Sequence, residues 1–569
     1  MMGNMRCPPE VDSTNTSKLR SLLYLISLFF VQFSYLAYIH SFEVDPHHDG
    51  IMFTAAVASH EGAVPNRDFF AQYGPIAPLL QGLWFDLTEP TLLSLKIFTS
   101  LVLSLIGCII FLGLKTVLPP ISSTLISLLW VITGPWGLPW SSIISTLITL
   151  SCMLLIRHAF STRKELHQVW SLALVGVLLA IGCFTRIHTI LIFAAIFLVI
   201  LLKSIYFGSY RWLLFLSIGF SFALIFIASI MFHLGALNFY VEQCIMWASK
   251  AYVGAHWALK ISTMFELSWI PLLGVAAILL THFYSLLARQ DRKKLWWLAI
   301  SIASLLLILV PLSNMERTGF QSLRNPKILI ITASEKSQFI TSFALLTLFI
   351  FSILNKLLQV YRTGNKSFTN NALKNDAVLQ SSIGLASLSQ LYPFPDSYHI
   401  AFITPILILA LVFGNPSIKL GNDNVVALNV VALTLLPALI LKFILISNVP
   451  RSEFEAESLK GMYGSWRTWS ALDQTMKMLE KESPGITFAC ADGIYAGSSG
   501  RYLAENRNFV NWGPKVKYEN QTSRLFICYA SRETINKYRA DGWDIAFEVS
   551  WPGMSESSVT TFNVLLVRN

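Results

Sequence analysis

Apolar runs long enough to cross a bilayer recur from the first residues to about residue 448 and then stop. A helix needs about 20 apolar residues to traverse hydrocarbon. Candidate spans fall near 21–40, 92–113, 118–134, 142–158, 170–186, 189–204, 212–233, 266–287, 295–312, 338–358, 377–391, 399–413 and 425–447. That makes about 13 spans, of which those near 377–391 and 399–413 are the weakest. Backbone polar groups in lipid must be satisfied within each segment, so the spans are predicted to be helices. Past Ser447-Asn448-Val449-Pro450 the pattern changes. Trp466 to Glu482 has a helical period, and Ile486–Cys490, Arg524–Cys528, Ile545–Val549 and Thr561–Val567 read as short strands. The chain therefore divides into a polytopic α-helical membrane domain, residues 1–449, and a small α/β domain, residues 450–569.

Composition sharpens that class. The chain is 54% hydrophobic and only 13% charged, against about a quarter charged in a soluble domain. The first run, 21–40, lacks an obvious small-residue cleavage site before the acidic segment that follows, and is expected to stay as an anchor. With the N-terminus in the cytoplasm, the inner loops hold Lys18, Arg20, Lys115, Arg157, Arg163, Lys164, Lys203, Arg211, Arg289, Arg292, Lys293, Lys294, Lys356, Arg362, Lys366 and Lys374. This satisfies the positive-inside rule. An odd number of spans then leaves the C-terminal domain outside. The net charge of +10 suits contact with anionic membrane lipids. It is spread over loops rather than gathered in one patch, which argues against nucleic acid.

The candidate chemistry sits on the outer side. Glu43-Val44-Asp45-Pro46-His47-His48-Asp49-Gly50 follows the first span directly, so its ionisable side chains leave the membrane together. Arg67, Asp68 and Tyr73 follow within the first outer loop, residues 41–90. Arg186 and His188 occupy the turn between two spans, Arg324 a later outer loop, and Asp396 and His399 the segment Tyr392-Pro393-Phe394-Pro395-Asp396-Ser397-Tyr398-His399. Ionisable groups at membrane depth are costly and tend to mark function. Plainer roles compete for each. Asp49 and Asp396 are placed to cap helices, Arg67 and Asp68 to form a surface ion pair, and Arg186 and His188 to anchor at headgroups. Trp136 and Trp140 bracket an outer loop, where aromatic residues belong in any membrane protein.

His48-Asp49-Gly50 through Gly62-Ala63-Val64-Pro65-Asn66-Arg67-Asp68-Phe69-Phe70, then Gln72-Tyr73-Gly74-Pro75, resembles the first outer loop of GT-C membrane glycosyltransferases. More narrowly, it is similar to the bacterial branch related to protein O-mannosyltransferases and lipid A aminoarabinose transferases. One departure stands out. The acidic pair of those enzymes is here His48-Asp49, so either Asp45 replaces the missing acid or the site works with one carboxylate. The resemblance implies a GT-C-like fold in a bacterial inner or plasma membrane. It also implies inverting transfer of a sugar from a polyprenyl-phosphate donor to a glycan, lipid or protein acceptor.

The chemistry can be reasoned independently. A phosphate-linked sugar already carries its leaving group. The protein has to position an acceptor hydroxyl, take its proton and stabilise the departing phosphate. A carboxylate general base contributes about 10²–10⁴-fold, and cations in a partly dry site stabilise the anion. Asp49 is the expected base, with Asp45 its rival. Arg67, Arg186, His188, Arg324 and His399 are expected around the phosphate, and His48, Asp68, Tyr73 and Asp396 are expected to orient the substrate. No cofactor is required; a divalent metal is compatible with this scheme but not demanded by a monophosphate leaving group. Two other functions fit a multispanning chain: an oligosaccharide polymerase or ligase using a pyrophosphate-linked donor, and a transporter of lipid-linked glycan. The C-terminal domain shows no nucleophile, phosphate-loop or metal-ligand pattern. Its Cys490 and Cys528, on two predicted strands, would be free to pair in an oxidising compartment.

Overall fold

The computed structural model describes residues 13–247 apart from 43, 47, 134–136 and 163, and then 376–391, 397–414, 451–481, 487–489, 524–551 and 561–568. The first part is a helical bundle. Its helices are α1 (Ser13–His40), α2 (His48–His60), α3 (Ile76–Leu87), α4 (Leu92–Leu114), α5 (Pro120–Thr133), α6 (Ser141–Ser161), α7 (Glu165–Thr185), α8 (Thr189–Phe207) and α9 (Arg211–His233). A short α10 (Leu237–Tyr240) runs into a π-helix, Val241–Trp247. Later come α11 (Ala377–Ser387), a 3₁₀ turn (Leu388–Leu391) and α12 (Ser397–Gly414), which carries Pro405 inside it.

Among the described residues, 6 helices are long and apolar enough to cross a membrane: Ser21–His40 within α1, α4, α6, α7, α8 and α9. They coincide with the runs seen in the sequence, and the chain is an integral membrane protein. The expected spans near 266–287, 295–312, 338–358 and 425–447 lie outside the described residues.

Packing explains which faces meet. The α9 residues Phe222, Ile225, Phe226 and Phe232 are exposed, as suits a helix face turned to lipid. Its opposite face carries Gly219, where an added Cβ would sit 2.0 Å from the Ala173 carbonyl oxygen of α7. A Cβ added at Gly176 of α7 would likewise lie 2.3 Å from the Leu216 carbonyl oxygen. The two backbones touch, the usual way that small residues drive helix association where lipid removes the hydrophobic incentive. Buried hydroxyls in the core return hydrogen bonds to their own helices: Ser100 Oγ to Lys96 O at 2.8 Å, Ser104 Oγ to Ser100 O at 2.7 Å and Thr149 Oγ1 to Ser145 O at 2.9 Å.

The segment between α1 and α4 is largely helical. The helices α2, 13 residues, and α3, 12 residues, are too short to span about 30 Å of hydrocarbon. They pack together at one end of the bundle, where Gly82 of α3 admits Ser59 and His60 of α2 at contact distance. The α3 helix was not among the expected elements.

The C-terminal residues pack on that same end. A hairpin pairs β1 (Arg451–Glu453) with β2 (Tyr463–Ser465), and α13 (Trp466–Lys481) follows. A four-stranded sheet then runs in the order β3-β4-β6-β5, from β3 (Thr487–Ala489), β4 (Arg524–Ala530), β5 (Asp544–Trp551) and β6 (Thr561–Val567). The β3–β4 pair is parallel and the others antiparallel. The helix α14 (Arg532–Ala540) follows β4, its N-terminus capped by Ser531 Oγ, which accepts from the Thr534 amide. Sequence periodicity anticipated α13 and all four sheet strands but neither α14 nor the hairpin. Cys528 is disulfide-bonded; Cys490, its expected partner, lies outside the described residues.

Candidate active site

The acidic segment folds into the start of α2, and its two aspartates do different work. Asp45 caps the helix. Its Oδ1 accepts from the His48 amide at 2.9 Å, and its Oδ2 lies 2.8 Å from His48 Nδ1. Both side chains are partly exposed, 42% for Asp45 and 38% for His48. Asp49 is wholly buried and forms an ion pair with Lys96 of α4, Oδ2 to Nζ at 2.7 Å. The same oxygen accepts from the Asp45 amide at 3.0 Å. Burial pushes the Asp49 carboxyl above the ordinary carboxylate range, and the Lys96 ammonium pulls it back. Asp49 thus pins α2 to α4, while Asp45 and His48 meet solvent.

Lys96 is the residue the sequence reading passed over. It is 5% exposed and the fifth residue of α4. The signal was available: a lone lysine inside an apolar run, near the end of a span, is costly unless paired.

Arg67 and Asp68 form a fork. Arg67 Nε donates to Asp68 Oδ1 at 2.8 Å and Nη2 to Oδ2 at 2.7 Å, while Nη1 reaches the Leu234 carbonyl at 3.1 Å. Asp68 Oδ2 also accepts from the Val64 amide at 2.7 Å. This pair braces the loop against the connection after α9. Asn66, in the left-handed region at φ 67°, extends the brace. Its Nδ2 donates to Ala71 O at 3.0 Å and to Gln243 Oε1 at 2.9 Å, and Gln243 Nε2 returns a bond to Asn66 O at 2.9 Å.

Arg186 lies elsewhere, in the core at the end of α7. It is 2% exposed. Its Nη1 donates to Ser142 Oγ at the start of α6, and its Nη2 to Gln390 O at 3.4 Å. The guanidinium carbon lies 5.4 Å from the centre of the Tyr73 ring. Tyr73 in turn is 6.4 Å from Trp140, and Trp140 is 5.4 Å from the His48 ring and 6.0 Å from Phe402. An aromatic floor therefore links the Asp45–His48 pair to the Arg186 cation. Trp140, expected at an interface, is part of this floor. A small cavity beside it is lined by Thr54, Phe70, Gln72, Tyr73, Pro78 and Ser141, among others.

His188 is the residue before α8, and its side chain is half-buried. His399 lies in the first turn of α12, one turn before Phe402, which places its backbone at the same end as Trp140. Arg324 and Asp396 lie outside the described residues, as does His47. The structure thus links Asp45 and His48, through Trp140 and Tyr73, to Arg186, and sets Arg67 and Asp68 to bracing the loop.

No protein-family model and no curated protein sequence matches the chain. In structure it is similar to ArnT from Cupriavidus metallidurans in the apo state, at 11% identity and TM-score 0.43, over 97% of this chain and 98% of that one. It is also similar to that protein bound to undecaprenyl phosphate, at 10% identity and TM-score 0.44, over 96% and 97%. A third likeness is to the Archaeoglobus fulgidus oligosaccharyltransferase, at 12% identity and TM-score 0.40, over 87% of this chain and 65% of that one.

Proposed function

We propose that the chain is a membrane glycosyltransferase that moves a sugar from a polyprenyl-phosphate donor to an acceptor hydroxyl by inverting single displacement. The reaction runs on the extracytoplasmic side, at the end of the bundle that holds α2 and the C-terminal domain. One observation carries this reading. A partly exposed acid–histidine pair and a buried arginine share one aromatic floor, Trp140 and Tyr73.

The parts divide the labour. The segment Asp45–Asp49 supplies the general base, with Asp45 its solvent-reaching carboxylate and Asp49 fixing the helix. Arg186 binds the phosphate, since its planar fork can take two oxygens. Ser142 and the Tyr73 ring hold that fork in place. Trp140 and Tyr73 offer flat surfaces against which a sugar ring can lie. His399 and Arg324 join Arg186 at the phosphate, and Asp396 orients His399.

The transporter alternative is weaker. It calls for ionisable groups near mid-membrane, whereas the buried lysines of the described spans, Lys96 in α4 and Lys203 in α8, lie near helix ends.

The test is reconstitution of the purified full chain in liposomes with undecaprenyl-phosphate-linked hexoses and pentoses. Release of undecaprenyl phosphate is followed by mass spectrometry. Turnover of these donors is expected. Turnover confined to pyrophosphate-linked donors would instead make the chain a polymerase or ligase. Arg186→Met is expected to lose about 10²–10³-fold in turnover, the usual cost of removing a donor to a developing anion. Wild-type turnover in that variant would remove Arg186 from the phosphate site.

A further inference from the structure

The transfer reading places a base in the Asp45–Asp49 segment; which atom receives the acceptor's proton is a separate matter. We propose that it is the imidazole of His48, oriented by Asp45 as a carboxylate–histidine dyad. This rests on the transfer reading above.

Three observations carry it. First, both oxygens of Asp45 are already used by His48: Oδ1 accepts from the His48 amide and Oδ2 from Nδ1. A carboxylate that took an alcohol's proton would weaken the cap of its own helix. Second, Asp49 has no exposed surface and is closed in by Lys96 and the Asp45 amide. Its Oδ2 is already shared by those two partners. Third, His48 reaches solvent and lies against Trp140, which leads through Tyr73 to Arg186. The imidazole is thus on the same floor as the cation assigned to the phosphate.

The chemistry follows from the pairing. A carboxylate 2.8 Å from Nδ1 selects the tautomer with its proton on that nitrogen, which leaves Nε2 as the proton acceptor. The acceptor hydroxyl gives its proton to Nε2. Its oxygen forms the new bond to the anomeric carbon as the bond from that carbon to the phosphate oxygen breaks. The electron pair leaves with the phosphate, beside Arg186, and the Asp45 carboxylate stabilises the imidazolium that forms. Asp45 is a positioning residue in this scheme, and His48 touches the reacting atoms.

The experiment uses the full chain in liposomes, with undecaprenyl-phosphate-linked hexoses and pentoses for turnover and undecaprenyl phosphate alone for binding. His48→Ala and His48→Gln are expected to lose about 10²–10⁴-fold in turnover while binding undecaprenyl phosphate as the wild type does. Added imidazole should restore part of the activity of His48→Ala. Asp45→Asn is expected to lower turnover without rescue by imidazole, and to weaken the rescue when combined with His48→Ala. Lipid binding reports folding independently, so a lost activity with retained binding is informative. If either folded His48 variant keeps wild-type turnover, or if imidazole fails to restore the lipid-binding His48→Ala, the dyad is overturned and the transfer reading survives with a carboxylate base. If the wild type neither binds undecaprenyl phosphate nor turns over any donor, both fall.

Discussion

At the scale of single residues, burial and Lys96 pull Asp49 in opposite directions. A buried carboxylate resists ionisation, and here burial is the larger influence and the lysine the smaller one. Removing the lysine leaves the burial unopposed. The folded-state pKa of Asp49, already above the ordinary value of 3.8, then rises further. The sign follows from linkage. A carboxyl whose folded pKa exceeds its unfolded value binds protons more tightly when folded, so stability is greatest below the unfolded value and is lost as pH climbs towards the folded one. Lys96→Met should therefore unfold near the wild-type temperature in acid and lose about 3–5 kcal/mol at neutral pH, the usual cost of orphaning a buried charge. Adding Asp49→Asn to Lys96→Met should recover most of that loss. Thermal unfolding in detergent on either side of the carboxylate range checks both, and a pH-independent loss in Lys96→Met would refute the account. The site was half legible at this scale. Asp45, His48 and Asp49 stood out because they are adjacent in sequence at a membrane boundary. Their division into a cap, a solvent-facing imidazole and a buried ion pair was hidden, because it depends on a lysine that follows a full helical hairpin later.

At the scale of elements, the segment between α1 and α4 is the informative piece. Long spans were readable because hydrocarbon demands a continuous apolar run, and the Ser21–His40 part of α1 together with α4, α6, α7, α8 and α9 follow those runs closely. The short α3 was not, since a stretch of 12 residues is too short to read as a span. The loop's shape depends instead on backbone exceptions. Gly62 and Gly74 adopt φ 89° and 128°, conformations that side chains rarely tolerate. At Gly74 the requirement is double, because an added Cβ would lie 2.2 Å from the Phe184 carbonyl oxygen, at the end of α7. That contact sets Tyr73 over Arg186, two residues beyond Phe184. Gly74→Ala should therefore displace the aromatic floor from the cation. The expected result is a fall of about 10²-fold in turnover, the penalty of roughly 1 Å of misplacement, with the spans still folded. Unchanged donor turnover in a folded Gly74→Ala would show that Tyr73 does not position Arg186.

For the whole molecule, the informative contact is between its two ends. The C-terminal segment was visible as a change from long apolar runs to short alternating ones, but a sequence has no means of saying where such a segment docks. It docks beside the acidic segment. The Tyr463 amide donates to the Ser41 carbonyl at 2.9 Å, Tyr463 bridges to Phe42, and the Arg451 guanidinium lies 4.1 Å from the Phe42 ring centre. Phe42 is three residues before Asp45, so the hairpin β1–β2 grips the chain where it leaves α1 and turns into α2. Gly461 completes the grip. It has φ 77°, and an added Cβ would meet Leu93 Cδ2 of α4 at 2.5 Å, one turn from the Lys96 that anchors Asp49. A valine at 461 would be strained in that conformation and would press the hairpin off α4. The substitution leaves the spans and the Asp49–Lys96 pair in place, so Gly461→Val should still bind undecaprenyl phosphate. Its turnover should fall, because the segment bearing Asp45 and His48 loses its outer support, and limited proteolysis should cut near residue 460 faster than in the wild type. Faster proteolysis with full turnover would mean that the domain docks for some purpose other than holding the catalytic segment.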